Sequence, residues 1–459
     1  MSGALPYRER DIPAFVGSGF LATVAMQVQS VAIGWQIYDI ERTPLALGLV
    51  GLCQFVPMFL LTLPAGELAD RVDPRRLLAV TEVAQALCSG LFLLCSLVSP
   101  HRALPFYIVL ALFGASRGFS EPAGQSLLPF LVPPEGLAKA IARNSSLLTV
   151  AVIAGPAIGG FLFAAGPLAT YSVCLAAFLL AASLAASLGG RRVDHSQTKF
   201  ADRWERVIEG VHFVRTRPIV LGAISLDLFA VLLGGAVALL PVFARDVLHV
   251  GPLGLGLLRS APAAGAALMA FTLARYPIER RPTARPTARR WRFVGFPSLR
   301  FGRRWRFVGF PSLRFGRRWR FVGFPSLRFG RTGAHLFLAV AVFGLATVAF
   351  GLSQNFYLSL AALLVTGASD MISVFIRSSL INFATPDPMR GRVGAVNMLF
   401  IGASGELGEF ESGMTAAWFG TIPAVVIGGL GTLAVVAIWM WRFPPLRKVD
   451  RLADALSPS

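Results

Sequence analysis

Long apolar runs recur along the whole chain and are separated by short polar segments. A helix needs about 20 mostly apolar residues to cross the hydrocarbon core of a bilayer, which is about 30 Å thick. We therefore predict twelve membrane-spanning helices and no transmembrane β-barrel, whose strands would show alternation over about ten residues. The predicted spans lie near residues 13–37, 44–66, 77–97, 106–131, 141–165, 168–188, 218–243, 253–275, 334–352, 356–381, 393–419 and 423–442.

The pattern divides into two sets of six spans. The polar segment 189–217 separates them. Its second half, Ala201 to Val214, has apolar residues at the spacing of an amphipathic helix. We therefore predict an all-α membrane protein with an N-terminal six-helix bundle (1–188), a central cytoplasmic loop (189–217) and a C-terminal six-helix bundle (218–459). Two similar halves of this kind are typical of transporters built from repeats.

The composition is that of a membrane protein, but the net charge of the chain is unusually high. Of the 459 residues, 55% are hydrophobic and 15% are charged, whereas soluble domains average about 25% charged residues. The formal net charge is +19, and residues 281–330 alone contain 14 Arg and no acidic residue. Without that segment the net charge is +5, so the basic balance gives no independent reason to expect nucleic acid as a partner.

The distribution of Lys and Arg predicts the orientation. With a cytoplasmic N-terminus, 34 basic residues lie in cytoplasmic segments, 3 in outer loops and 6 inside spans. Without the Arg residues of 281–330, the ratio between the two sides is still 20 to 3. The positive-inside rule therefore predicts a multi-pass protein with both termini in the cytoplasm.

Two short motifs lie between spans 2 and 3 and within span 5. The first, GELADRVDPRRLL (Gly66 to Leu78), is similar to the signature between spans 2 and 3 of the major facilitator superfamily, although Asp73 replaces a Gly and Pro74 replaces an Arg. The sequence GPAIGG in span 5 resembles part of the antiporter motif of the superfamily. Longer stretches, 31–55, 209–259 and 385–413, resemble the bacterial enterobactin-exporter-like branch, with Gly405 where that branch usually has Asn.

The resemblance implies a major facilitator fold and a secondary active transporter in the bacterial cytoplasmic (inner) membrane. The cargo of such a protein would be a small amphipathic molecule, siderophore-like or drug-like, exported in exchange for protons by alternating access between the two halves. We expect a monomer whose partners are that small-molecule substrate, protons and the lipid bilayer, with no cofactor and no nucleic acid. The sequence shows no Cys or His spacing typical of a metal site and no ATP-binding motif, and we do not expect an enzyme.

Charged residues inside spans are the candidates for proton coupling, because a carboxylate at a helix centre opposes insertion by about 2.5–3.5 kcal/mol. Asp227 lies about 14 Å into span 7, where it either takes part in proton translocation or forms a structural pair with another helix. Arg117 and Glu121 are four residues apart in span 4. The Arg resembles the span-4 arginine that the superfamily uses in proton transfer, and the alternative is a local ion pair with Glu121.

Span 11 contains three carboxylates. Glu406 and Glu409 share a helix face and are the better coupling candidates, whereas Glu411 lies nearer the outer interface. The alternative for Glu409 and Glu411 is an outer vestibule lined with acid. In span 10 we expect Asp370 to pair structurally with Arg377 and Arg377 to extend toward the cytoplasmic interface.

A cytoplasmic gate is the role that the resemblance implies for the loop between spans 2 and 3. Its residues are Gly66, Asp70, Arg71, Arg75 and Arg76, and the candidate partners in the loop between spans 10 and 11 are Arg390 and Arg392. The alternative is that these Arg residues only anchor the cytoplasmic face. In span 5, we expect Gly155, Pro156, Gly159 and Gly160 to allow bending and close helix packing.

The sequence RRWRFVGFPSLRFG occurs three times without change, at 289–302, 303–316 and 317–330. Its Gly and Pro are incompatible with a long helix. We interpret 281–330 as a dispensable tandem-repeat insert in the cytoplasmic loop between spans 8 and 9. The alternatives are binding of anionic lipid through Arg and aromatic side chains, or of nucleic acid. A membrane scaffold or lipid- or nucleic-acid-binding protein that uses this repeat, without transport, is therefore the alternative function.

Overall fold

The structure is a computed structural model that describes residues 11–132, 134–189, 200–275, 332–386 and 389–447. The side chains of some residues within these ranges, including Asp70 and Arg71, are not described. The predicted insert 281–330 and both chain ends lie outside the described residues.

The N-terminal half consists of six long helices joined by short connections. They are α1 (Asp11–Glu41), α2 (Pro44–Arg71), α3 (Pro74–Val98), α4 (Leu104–Leu131), α5 (Pro134–Ala164) and α6 (Pro167–Ala186). Proline occupies the first turn of α2, α3, α4 and α6, where its fixed φ favours helix initiation and its missing N–H leaves no bond unmade. A shorter amphipathic helix, α7 (Phe200–Thr216), precedes the second half.

The C-terminal half repeats this arrangement with an irregular first span. Its elements are α8 (Pro218–Leu233), a 3₁₀ turn (Ala236–Leu239), α9 (Leu240–Val242), a π turn (Phe243–Val247), α10 (Gly251–Arg275), α11 (Thr332–Leu352), α12 (Phe356–Ala384), α13 (Arg390–Phe419), α14 (Thr421–Arg442) and α15 (Pro444–Arg447). The described residues contain no β-strand. An all-α fold is therefore confirmed for the part of the chain that the structure describes.

Ten of the described helical segments are long and apolar enough to cross a membrane. The helices at the two remaining predicted spans are α4, with 28 residues, and α13, with 30 residues. These two carry Arg117 and Glu121, and Glu406, Glu409 and Glu411, respectively. A described helix thus lies at the position of each of the twelve predicted spans.

The seventh span is not one regular α-helix but a series of helical segments of different type. Regular α-helix ends at Leu233, and Gly234 and Gly235 lead into the 3₁₀ turn, α9 and the π turn. A Cβ on Gly235 would lie 2.7 Å from the carbonyl oxygen of Gly408 in α13, so this close approach requires glycine. Irregular backbone at membrane depth is tolerated where it is buried in protein or lines a cavity.

Candidate functional site

The two halves meet at one end of the molecule, which we call the outer end in keeping with the distribution of Lys and Arg. The hydroxyl of Tyr38, in the last turns of α1, donates to the carboxylate of Asp246 in the seventh span. Asp39 pairs with Arg245, whose guanidinium also lies 5.7 Å from the centre of the Trp35 ring. One continuous apolar cluster contains buried residues of both halves, among them Val31 and Leu239. The outer end is therefore closed.

The GPAIGG motif of α5 packs on two helices at once. Gly155 faces Gln27 of α1, and Gly159 faces Val28, whose Cα would lie 2.9 Å from an added Cβ. On the other side, a Cβ on Gly160 would lie 2.4 Å from the carbonyl oxygen of Pro252 in α10. The carbonyl oxygen of Pro156 lies equally close to where a Cβ on Gly256 would stand. Close packing by this motif joins α5 of the first half to α10 of the second.

We expect Gly160→Val to prevent closure of the outer end, because the new side chain collides with the backbone of α10. The measurement is labelling of a single Cys at buried Leu239 by an impermeant maleimide, in protein whose four Cys are replaced. Labelling from outside should be slow in the parent and fast in Gly160→Val. Gly124→Val is the matched control, since a Cβ there meets nothing within 4 Å. Equal labelling of parent and Gly160→Val would contradict the packing role.

An ion pair joins the halves deeper in the molecule. Arg117 of α4 lies 3.5 Å from Glu406 of α13 and 3.3 Å from Glu121 one turn along its own helix. The Arg117 and Glu406 side chains are 18% and 21% exposed, whereas that of Glu121 is 56% exposed. From the helix starts and a rise of about 1.5 Å per residue, Arg117 lies about 20 Å along α4 and Glu406 about 24 Å along α13. Both positions are close to the midpoints of their helices.

Two further charged residues surround this pair. Glu409, one turn after Glu406, packs against α2, where its Cβ and a carboxylate oxygen would both lie 3.1 Å from a Cβ on Gly51. Arg259 of α10 donates to the hydroxyl of Ser30 in α1 at 2.7 Å. The charges of Arg117 and Arg259 both act on Glu406 and Glu409. Four charged side chains from the two halves thus share one electrostatic environment.

A cavity of about 450 Å³ lies within the C-terminal half, beside this charged group. Its wall includes the broken part of the seventh span together with residues of α10, α11, α12 and α13. The polar members of the lining include Thr347, Thr366, Asp370, Glu406 and Glu409, and Phe343 and Phe350 contribute rings. Ligand sites in proteins commonly have volumes of about 300–1,000 Å³ and mostly apolar walls with a few polar groups, as here.

Asp227 forms a buried ion pair with Arg377 of α12. The two residues are 7% and 2% exposed, respectively. The expectation that Arg377 extends toward the interface is therefore wrong, and so is its expected pairing with Asp370. Arg377 lies about 10 Å from the C-terminal end of α12, where it is buried and pairs with the carboxylate of another helix. Asp370 and Asp227 both line a small pocket next to the main cavity.

Of the predicted cytoplasmic gate, only part can be located, because the side chains of Asp70 and Arg71 are not described. Arg75 is buried, Arg76 is exposed and Gly66 is buried. The carboxylate of Asp73 accepts from the backbone N–H of Arg75 at 3.0 Å and so caps α3. On the opposite loop Arg390 is exposed, and Arg392 pairs with Glu209 of α7 at 2.5 Å.

Two features of this region were missed by sequence reasoning. Arg259 is a charged residue inside a predicted span, and that alone could have marked it. Nothing in the sequence marks the pairing of Tyr38 with Asp246, because both residues lie near the ends of predicted spans, where polar residues are common. Glu82 of α3 is, by contrast, a charged span residue with a structural role in the first half: it is 2% exposed and accepts from Ser18 of α1 at 2.8 Å.

Comparison of the sequence with known proteins identifies relatives of this chain. The profile of a family described as transmembrane secretion effector matches residues 6–280. The staphyloferrin A transporter of Staphylococcus aureus is 28% identical over 33% of this chain and 38% of its own length. The multidrug efflux pump Tap of Mycobacterium tuberculosis is 29% identical over 53% of this chain and 61% of its own length. The macrolide efflux protein A of Streptococcus pyogenes is 25% identical over 31% and 35%. The chain thus spans less than two thirds of these relatives.

Solved structures with the same fold cover almost the whole chain. A bacterial homologue of the human lysosomal transporter Spinster, in an inward-facing and occupied conformation, superposes with a TM-score of 0.65 and 16% identity over 100% of both chains. A point mutant of the nucleoside transporter NupG superposes with a TM-score of 0.69 and 10% identity over 94% of this chain and 100% of its own. At these identities the likeness concerns the fold.

Proposed function

Because the chain belongs to the transmembrane secretion effector family of the major facilitator superfamily, we propose that it is a proton-coupled exporter of a small amphipathic molecule. In this proposal the halves 1–188 and 218–459 move as rigid bodies around a site at the bilayer centre and expose it to one side at a time. The family and the relatives are membrane transporters rather than enzymes.

The ion pair between Arg117 and Glu406 is the observation that carries the proposal. It is the contact that links a charge of one half to a charge of the other near the middle of the membrane, and Glu406 also lines the cavity. Intramembrane charges are expensive and are retained mainly for transport or proton transfer. The Glu406 carboxylate is therefore placed to interact with a cargo molecule in the cavity and, through Arg117, with the other half.

Protonation of Glu406 provides a physical means of coupling. The charged carboxylate holds Arg117 across the interface, whereas the neutral acid forms only an ordinary hydrogen bond with it. Binding a proton thus weakens the attraction between the halves and shifts the balance between conformations. Glu409, within the same electrostatic environment, completes the proposed coupling group, whereas Glu121 shares the Arg117 guanidinium from an exposed position outside that group.

On the cytoplasmic side we propose that Asp70 and Arg71 form a gate with Arg390 and Arg392. In the present conformation, closed at the outer end, Arg392 is paired with Glu209 of α7. Opening the outer end would bring the two cytoplasmic loops together, and Arg392 would then exchange Glu209 for the Asp70 loop. A charge contact present in only one conformation biases the equilibrium between the two.

The names of the relatives suggest which cargo to test first. Two are efflux proteins for drugs and one is a siderophore transporter. We therefore propose outward movement of either a drug-like or a siderophore-like molecule. A comparison of cargo accumulation in cells with and without the protein would select the substrate for the experiments in vesicles.

We expect Glu406→Gln to abolish cargo movement driven by a proton gradient while leaving the fold intact, because Gln keeps the shape of Glu but cannot exchange a proton. The measurement is uptake into inverted membrane vesicles with and without an imposed pH gradient. Glu411→Gln is the matched control, because Glu411 lies on the same helix, does not line the cavity and accepts from Thr415 at 2.8 Å. Gradient-driven transport at the parent rate by Glu406→Gln would refute the coupling role.

A further inference from the structure

The cavity of the C-terminal half has a definite charge character. Its lining residues include three carboxylates, those of Asp370, Glu406 and Glu409. They include no Lys, Arg or His. The rest of the wall is apolar or aromatic apart from two Thr residues. A molecule that fills this space thus meets an apolar surface with negative charge only.

The three carboxylates differ in how far the protein already satisfies them. Glu406 has Arg117 at 3.5 Å, and Arg259 also acts on both Glu406 and Glu409. Asp370 receives no hydrogen bond and no ion pair from the part of the chain that the structure describes. Its nearest prospective cation on its own helix, Arg377, is taken by Asp227. Asp370 is thus a membrane-embedded carboxylate with access to the cavity and, among the described residues, no cation of the protein beside it.

The same wall supplies a surface for a cationic head group and an apolar body. Phe343 lines both the small pocket beside Asp370 and the main cavity, and Phe350 lies farther along the cavity. The face of an aromatic ring attracts a cation within about 6 Å of its centre. Ser373, which is 3% exposed, lines the small pocket together with Asp370 and adds a hydroxyl there.

We propose that the cavity binds an amphipathic organic cation, with Asp370 as its counter-charge and Phe343 beside the cationic group. The inference rests on the proposed function as a transporter and chooses between its two cargo classes. A negatively charged chelator would have to lose its hydration and lie beside Asp370, whereas a cation neutralises a charge that the described residues leave without a partner. Asp370 is then a specificity-determining residue.

The test uses two probes of the same shape and opposite charge, tetraphenylphosphonium and tetraphenylborate. Binding of each radiolabelled ion to the purified full chain in lipid nanodiscs is measured at equilibrium, without a proton gradient, after subtraction of empty nanodiscs. We expect the phosphonium to bind and the borate not to bind above background. Asp370→Asn should weaken phosphonium binding at least about tenfold, the scale of one charge–charge interaction in a partly shielded site.

Two variants control for loss of fold and for general loss of charge. Asp370→Glu keeps the carboxylate and should retain phosphonium binding within about threefold, because most of the attraction is electrostatic. Glu411→Gln removes a carboxylate outside the cavity and should bind like the parent. The comparison of the two ions on the unaltered protein needs no variant, so it remains decisive if Asp370→Asn does not fold.

Three outcomes overturn the inference: preference of the parent for the borate, absence of phosphonium binding by the parent, or unchanged phosphonium binding by Asp370→Asn. The proposed function fails separately. If the phosphonium binds through Asp370 but no gradient-driven movement of any cargo is found, the transport proposal is wrong and the binding site stands. If Glu406→Gln abolishes transport of an anionic cargo, coupling stands and the cation site is wrong.

Discussion

Asp227→Asn is expected to destabilise the folded protein by about 3–5 kcal/mol, because it leaves Arg377 as a buried cation without its partner. Both residues are less than 10% exposed, so water cannot replace the lost carboxylate. The measurement is the unfolding midpoint of the purified protein in detergent, followed by intrinsic fluorescence. Glu209→Gln, which breaks the exposed pair with Arg392, is the control and should cost less than about 1 kcal/mol.

The double variant Asp227→Asn, Arg377→Gln separates a structural from a proton-carrying Asp227. Removing both charges abolishes the buried imbalance, so most of the lost stability should return. If the pair is structural, gradient-driven transport returns with it. If Asp227 carries protons, the double variant is stable but inactive. A double variant that is no more stable than Asp227→Asn alone would contradict the ion pair itself.

Arg117→Ala is expected to lower the initial rate of transport at least about thirtyfold, since truncating one partner of a buried hydrogen-bonded charge pair costs about 2–5 kcal/mol. The loss removes the guanidinium that Glu406 shares with Glu121. The measurement is initial uptake into inverted vesicles at matched protein content. Arg117→Lys should recover only part of the rate, because a single ammonium cannot present two N–H groups to two carboxylates as a guanidinium does.

Glu121→Gln provides the control for Arg117. It removes the exposed partner of Arg117 and leaves the contact with Glu406 of the other half. We therefore expect a change of less than about threefold, since an exposed pair contributes little. If Glu121→Gln reduces transport as strongly as Arg117→Ala, the intrahelical pair rather than the contact between halves is the one that matters.

Much of the fold could be predicted because membrane insertion imposes a simple rule of length and apolarity. The helices nevertheless extend beyond the predicted runs, as α1 does from Asp11 to Glu41 where 13–37 was predicted. The apolar run measures the hydrocarbon core, whereas the helix continues through polar residues in the interface. The break in the seventh span was not predicted, because the apolar run that contains Gly234 and Gly235 has the same length and apolarity as an unbroken transmembrane helix.

The individual residues of the site could be found from sequence, but their partners could not. A charge inside an apolar run identifies Asp227, Arg117 and Glu406 without any structure. The partners of these residues are far away in the chain: Glu406 is 289 positions from Arg117. Only the way helix faces meet decides that Arg377 pairs with Asp227 rather than with Asp370 on its own helix.

The break in the seventh span has a mechanical consequence. It lies between the Asp227–Arg377 pair on one side and the Asp246–Tyr38 contact at the outer end on the other. Backbone torsions at Gly234 and Gly235 meet less steric resistance than those of a regular helix. In the proposed transport cycle we therefore expect the outer third of the span to pivot away from α1 while the inner part stays anchored to α12, so that opening would not require the buried charges to separate.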